Sequence, residues 1–236
     1  VTHNHSPKRI IYNLRVDMKE KQNKQRNYSE ADLILLFGLK RLVGNQAHPL
    51  MSEWLDCSAK LNDAEHYLFN LIWKDAQKKI DGWHEEDLKM KFICFVLLLG
   101  HLEDNGQYNT YFERTVQATV EGHFLKTKTD FMVAKGVLDK PQQPYFHFQE
   151  WKKHRDPHGD PVGQLIEAFL CAQVLNDNGK PLYGCTITGK YWEFFVMQEK
   201  TYCISKSYDC TERDDLLQII AVLRQFKQIL ETRLLE

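Results

Sequence analysis

The sequence predicts an α/β fold, with a helical N-terminal half leading into a half built of strands around one further helix. Three observations carry this. Up to about residue 122, apolar residues recur at helical spacing behind recognisable helix starts, whereas beyond it apolar and polar residues alternate. Within the alternating half, one segment returns to the helical period after Asp160-Pro161. The chain then closes on a long amphipathic pattern from about Thr211.

Residues 1–27 stand apart: seven Lys and Arg face two acids, a local charge of +5, amid several Asn and Gln. They read as a basic arm, in which Ile10-Ile11-Tyr12 could pair as a short strand. Val1-Thr2-His3 has the spacing of a square-planar Cu(II) or Ni(II) chelate if Val1 is the true terminus; an incidental histidine is the plainer reading.

At Ser29-Glu30-Ala31-Asp32, an N-cap with an acid three residues on starts a helix carrying Leu33, Leu36 and Phe37. Asn62-Asp63-Ala64-Glu65 repeats the signature and leads through Leu68, Leu71 and Ile72 to a stop near Asp81-Gly82. His84-Glu85-Glu86-Asp87 sets acids at the positive end of a third helix, whose apolar run to Gly100 predicts burial. The spacing of Phe112, Val116, Thr119 and Val120 predicts a fourth over roughly 108–122.

Strands are predicted at 129–134, 145–152, 182–188, 191–197 and 201–205. Gly189-Lys190 makes a hairpin of the third and fourth. Between the second and third, Asp160 caps and Pro161 opens a helix with Val162, Leu165, Ile166, Phe169 and Leu170 on one stripe. The last helix carries Leu216, Ile219, Ile220, Leu223, Phe226 and Leu230 at core spacing. The resulting division is a basic arm (1–27), a helical extension (28–106) and a C-terminal domain (107–236).

Composition narrows the function classes. With 43% hydrophobic and 12% aromatic residues and a net charge of −1, the 236-residue chain is globular rather than disordered. The longest apolar run, Phe92–Leu99, is eight residues, whereas a bilayer span needs about 20, so no membrane is expected. No charged-then-apolar leader opens the chain, and the six cysteines include no CxxC pair. The expectation is a cytoplasmic protein with reduced, largely buried thiols. No P-loop, GxGxxG, GxSxG or HExxH is present.

Chemistry concentrates in Phe146-His147-Phe148-Gln149-Glu150-Trp151-Lys152. On a strand, Phe146, Phe148, Glu150 and Lys152 share one face, and a charged pair ending an apolar face is costly unless it pairs or meets a ligand. Asp130, in a second apolar strand, is similarly out of place. A turn around Pro141–Pro144 could bring the two carboxylates together. Two carboxylates beside a lysine suit metal-dependent phosphodiester cleavage. Mg²⁺ prefers an oxygen shell, which Asp130, Glu150 and the Trp151 carbonyl could supply, while Lys152 could serve the attacking water. The plainer alternative is a half-exposed edge strand with a Glu150–Lys152 surface pair worth ~0–1 kcal/mol. His154 and His158 flank a predicted loop and lack the further ligands of a zinc site.

Asp130 followed by Glu150-x-Lys152 on a later strand, then a helix and more strands, resembles the PD-(D/E)XK nuclease superfamily over about residues 108–210. Trp83, Leu88-Lys89-Met90-Lys91-Phe92, Pro144-Tyr145-Phe146, Asp160-Pro161, Gly163-Gln164 and Tyr183-Gly184-Cys185 resemble uncharacterised bacterial members. Thr129 departs from the proline of the family name. The resemblance implies a restriction-endonuclease-like mixed central sheet flanked by helices, with residues 28–106 as an N-terminal helical extension. It also implies two assisting residues. Glu113, at the flank of the predicted fourth helix, would add a metal ligand, or be a solvated helix acid. Gln164 would sit near substrate on the helix after Glu150-x-Lys152, or simply face solvent.

The expected function is Mg²⁺-dependent endo- or exonucleolytic hydrolysis of nucleic acid, DNA before RNA, with Mn²⁺ as a substitute ion. The rival is a non-catalytic module of the same fold that binds nucleic acid or protein. A homodimer or a partner protein fits either. Residues 122–158 hold seven basic and four acidic residues, +3, so the positive charge lies in the arm and around the predicted site.

Overall fold

The computed structural model describes residues 28–43, 48–103, 106–153 and 160–236. The predicted basic arm, the Val1-Thr2-His3 chelate and the His154/His158 loop lie outside the described residues.

The architecture is a mixed sheet between two helical layers. Helix α1 (Glu30–Phe37) begins at the predicted cap, Ser29 and Asp32 exchanging hydrogen bonds in a capping box. Two short elements too brief for a periodic signature follow: β1 (Lys40–Leu42) and α2 (Pro49–Leu55). Helix α3 (Asp63–Lys79) starts at the predicted Asn62/Glu65 box and ends in a 3₁₀ turn, Ile80–Gly82. Helix α4 (Glu85–Leu88) passes through a π-helical turn (Lys89–Ile93) into α5 (Cys94–Leu99). Phe92, Ile93 and Val96 are fully buried, as the apolar run predicts.

The predicted fourth helix is a strand. Residues Asn109–Val120 form β2, which turns at Glu121-Gly122 into β3 (His123–Val137). Val116, Ala118 and Val120 face inward at a period of two, so the helical spacing of Phe112, Val116 and Val120 is coincidental. Strand β4 (Lys140–Lys152) follows across Leu138-Asp139, and Pro141 and Pro144 lie within it instead of making the turn. They are tolerated because β5 (Leu182–Thr188) joins β4 only from His147 onward, leaving the first part of β4 an edge.

A bulge corrects the predicted face of β4. Val133 pairs with His147 but Ala134 with Tyr145, so Phe146 is the extra residue. Phe146 consequently packs on the opposite side of the sheet from Phe148.

Helix α6 (Pro161–Asn176) is capped by Asp160, and the β5–β6 hairpin closes at Gly189 with β6 at Tyr191–Gln198. Strands β7 (Thr201–Ile204) and β8 (Tyr208–Asp209) and helix α7 (Arg213–Ile229), ending in a π-helical turn (Leu230–Leu234), complete the chain. The strand order is β1-β7-β6-β5-β4-β3-β2, with β8 on β6. β4 pairs antiparallel with β3 and parallel with β5.

Alternation along the strands divides the core in two. Phe131, Val133, Tyr183, Ile187, Phe194 and Val196 point to the layer of α2, α3, α5 and α7; Met132, Ala134, Phe148, Phe195 and Met197 point to α1 and α6. Trp54 anchors the first layer, its indole N–H donating to the Val222 carbonyl at 2.8 Å and its ring lying edge-on to Tyr183 and Phe194. Full burial of a large apolar side chain stabilises by about 1.5–3 kcal/mol, several times an exposed ion pair, so these cores hold the sheet's position. Residues on both sides of position 106 share each core. All six cysteines are free, and Cys171, Cys185, Cys203 and Cys210 are buried. Among the described residues no helix is long and apolar enough to cross a membrane.

Candidate functional site

The site lies where β3 and β4 begin to part. Phe131 pairs with Gln149; continuing that register by one residue sets Asp130 beside Glu150. The carboxylate Oδ2 of Asp130 accepts the Trp151 backbone N–H at 2.7 Å, so a side chain satisfies that buried amide. Both acids are buried, Asp130 at 8% and Glu150 at 3% exposure. Lys152 donates to Glu150 Oε1 at 2.7 Å. The Glu150–Lys152 pair is therefore a mostly buried contact and not a surface pair on a half-exposed edge strand.

Glu113 reaches the same place from a strand, not from a helix. Phe112 pairs with Phe131 and Arg114 with Thr129, which puts Glu113 level with Asp130. Its φ of 56° is left-handed, an uncommon conformation for a residue with a Cβ. The inward-facing parity changes at this point: Tyr111 and Val116 both pack in the α6-side core although an odd number of residues apart. The kink leaves the Glu113 carboxylate paired with Lys128 through Oε2 and with Lys89 through Oε1 at 3.1 Å.

Lys89 was not singled out as a site residue by the sequence, yet it stands at the centre. Its ammonium lies 3.0 Å from Glu85 Oε1, 3.1 Å from Glu113 Oε1 and 3.1 Å from Asp130 Oδ1, with Glu86 at 3.8 Å. It also sits 5.8 Å from the centre of the Trp151 ring, which stacks on Phe131. A signal was legible: Lys89, Ile93 and Val96 are spaced along the buried stripe of their helix, where an unpaired lysine is costly. Lys128 gave no such signal, since it alternates outward like any strand lysine.

The electrostatics follow from burial and these contacts. Burial, then the neighbouring Asp130 charge, pushes Glu150 up to about 7 against the pull of Lys152. Burial also raises Asp130, opposed by the Trp151 amide and Lys89. The hydrogen bond from Lys128 leads in lowering Glu113 to about 2, with Lys89 adding to it against burial. For Lys89 and Lys152 burial opposes the charge, but their carboxylate partners outweigh it and hold both above the ordinary lysine value.

Of the predicted residues, Asp130, Glu150, Lys152 and Glu113 are gathered, and Trp151 joins them through its backbone N–H, whereas the sequence points to its carbonyl. Gln164 is partly buried on the first turns of α6, and no side-chain hydrogen bond joins it to this cluster among the described residues. The oxygen donors are of the type Mg²⁺ prefers, but their arrangement does not make a metal shell. Among the described residues no three His, Cys, Asp or Glu converge closely enough to hold an ion, and the cation among Glu85, Glu113 and Asp130 is the Lys89 ammonium.

Neither a scan against protein-family models nor a search of curated proteins finds a match to this chain.

Proposed function

We propose that the protein hydrolyses phosphodiester bonds of nucleic acid, DNA before RNA, at the Asp130–Glu150–Lys152 cluster. The observation that carries the reading is the meeting of two buried carboxylates from adjacent strands with a lysine held 2.7 Å from one of them. That resembles the Asp…Glu-x-Lys arrangement of PD-(D/E)XK nucleases. In the reaction a water oxygen bonds to phosphorus, the bond from phosphorus to the leaving sugar oxygen breaks, and that oxygen takes up a proton from solvent water. Glu150 is the group to receive the proton of the water. Lys152 orients that water through Glu150 and offsets charge on the phosphoryl oxygens in the transition state. Asp130 and the Trp151 amide lock the strand ends that carry these groups. Mg²⁺, with Mn²⁺ as a substitute, is the expected cofactor and would supply further charge neutralisation at the phosphate.

The test is a panel of single-stranded DNA, duplex DNA and RNA with Mg²⁺, Mn²⁺ or chelator, comparing wild type with Glu150→Ala. Cleavage that disappears in the variant supports the reading, and equal cleavage by both removes Glu150 from it. One observation favours the rival, a binding module without catalysis: Asp130, Glu113 and Glu150 each already hold a lysine. Binding to the same oligonucleotides with no cleavage under any metal would select it.

A further inference from the structure

Three carboxylate oxygens from three elements, Glu85 of α4, Glu113 of β2 and Asp130 of β3, stand 3.0–3.1 Å from the Lys89 nitrogen. An ammonium has three donors, so this coordination saturates it. The side chain is 13% exposed, with the Trp151 ring 5.8 Å away, so solvent screens these contacts only in part. The backbone is adapted to the same end. Lys89 opens a π-helical turn inside an otherwise α-helical run, and Glu113 takes a left-handed φ to bring its carboxylate within reach.

A divalent ion needs some of those same oxygens at about 2.0–2.1 Å, a separation that leaves no room for an ammonium among them. The two cations are alternatives. We infer that Lys89 is a built-in counter-ion of the acid cluster, and that a divalent metal enters only by displacing its ammonium from Glu113 and Asp130. Lys89 is thus a positioning residue that sets the metal affinity of the site. The inference rests on the proposed nuclease reading, in which Mg²⁺ is the expected cofactor and Asp130 its expected ligand. It accounts for acids of the right chemistry standing in an arrangement that is not a metal shell.

The test is metal binding to the protein, measured by Mn²⁺ electron paramagnetic resonance and by Mg²⁺ calorimetry, with no substrate present. Lys89→Met keeps the length of the side chain and removes the charge. It should bind Mn²⁺ at least about tenfold more tightly than wild type, whereas Lys89→Arg should stay as weak as wild type. Equal or weaker binding by Lys89→Met overturns the inference. A second measurement needs no variant. In ¹⁵N-lysine-labelled wild type, the Lys89 ammonium resonance should shift or vanish in step with Mg²⁺ titration, and a resonance that stays put while Mg²⁺ binds overturns the inference even if Lys89→Met does not fold. Failure here is separable from failure of the nuclease reading. Tighter metal binding without cleavage by any variant leaves the counter-ion and removes the nuclease. Cleavage with an unmoved Lys89 does the reverse.

Discussion

Asp160 and Glu30, 130 residues apart in the chain, are joined by a 2.7 Å hydrogen bond from the Glu30 backbone N–H to Asp160 Oδ2. The other oxygen of the same carboxylate accepts the Gly163 N–H at 3.0 Å, the N-cap bond of α6. One side chain therefore serves the first turns of two helices, and the approach is tight: a Cβ at Gly163 would fall 2.4 Å from the Tyr28 carbonyl oxygen. Asp160→Ala removes both bonds. An N-cap loss alone costs about 1 kcal/mol, so a loss of roughly 2 kcal/mol is expected by chemical denaturation, with α1 loosening first in hydrogen exchange. A loss no larger than that of Ser29→Ala, which removes a cap from α1 alone, would show that the second bond contributes nothing.

Gly184 tests the packing between β5 and α6. A Cβ there would lie 2.7 Å from Phe169 Cζ and 2.8 Å from the Phe148 carbonyl oxygen, one of which is backbone and cannot step aside. Gly184→Ala should destabilise by about 1–3 kcal/mol, as overpacked cores do. Gly82→Ala, where the added carbon meets nothing within 4 Å, should stay within ~0.5 kcal/mol. The two midpoints in urea make the comparison.

Glu167 predicts a pH dependence apart from the candidate site. It is 3% exposed on α6 and accepts the Lys126 N–H at 3.0 Å, and burial pushes its carboxyl up to about 7 from an ordinary value of 4.5. An acid whose folded value is raised holds its proton more tightly when folded. It leaves stability untouched below pH 4.5, removes stability progressively as pH rises from 4.5 to about 7, and leaves the loss constant above. Glu167→Gln keeps an oxygen for Lys126 and carries no charge, so it should gain about 1–3 kcal/mol over wild type at pH 8 and little at pH 4.5. A difference that is the same at both pH values would count against an ionised, buried Glu167.

Lys152 should act on the chemical step. If the proposed function holds, Lys152→Met lowers kcat by about 100-fold or more and leaves oligonucleotide affinity within about twofold, because one ammonium among the many basic groups adds little to binding. Single-turnover cleavage and fluorescence anisotropy separate the two effects. Full kcat in the variant would remove Lys152 from the mechanism.

What was legible in the sequence was what local chemistry decides. The caps at Ser29, Asn62 and Asp160 mark the starts of three helices, because a side chain that accepts the N–H three residues on needs nothing from the rest of the chain. The apolar stripe of α7 was readable for the same reason, being long enough to show its period. β2 was not, since Phe112, Val116 and Val120 satisfy a helical wheel and only the partner strand β3 decides the matter. The turn expected at Pro141–Pro144 failed because prolines are tolerated on a strand whose outer side is open, a fact of topology. At the candidate site the meeting of Asp130 with Glu150 and Lys152 was foreseeable from two odd charges on apolar strands. The placing of Glu113 on β2 and of Lys89 among three acids was not, because each depends on contacts between segments distant in sequence.

The position of β1 bears on how the chain folds. Lys40–Leu42 lie parallel to Thr201–Cys203, so this edge strand has no partner until some 160 residues later in the chain. Helix α1 waits similarly for Asp160. Leu33 and Phe37 likewise bury their apolar faces among residues of β2, β3 and α6, some 80 or more residues further along the chain. The high sequence separation of these contacts raises the entropic cost of docking this segment above that of the β2–β3 and β5–β6 hairpins, which join neighbours in the chain.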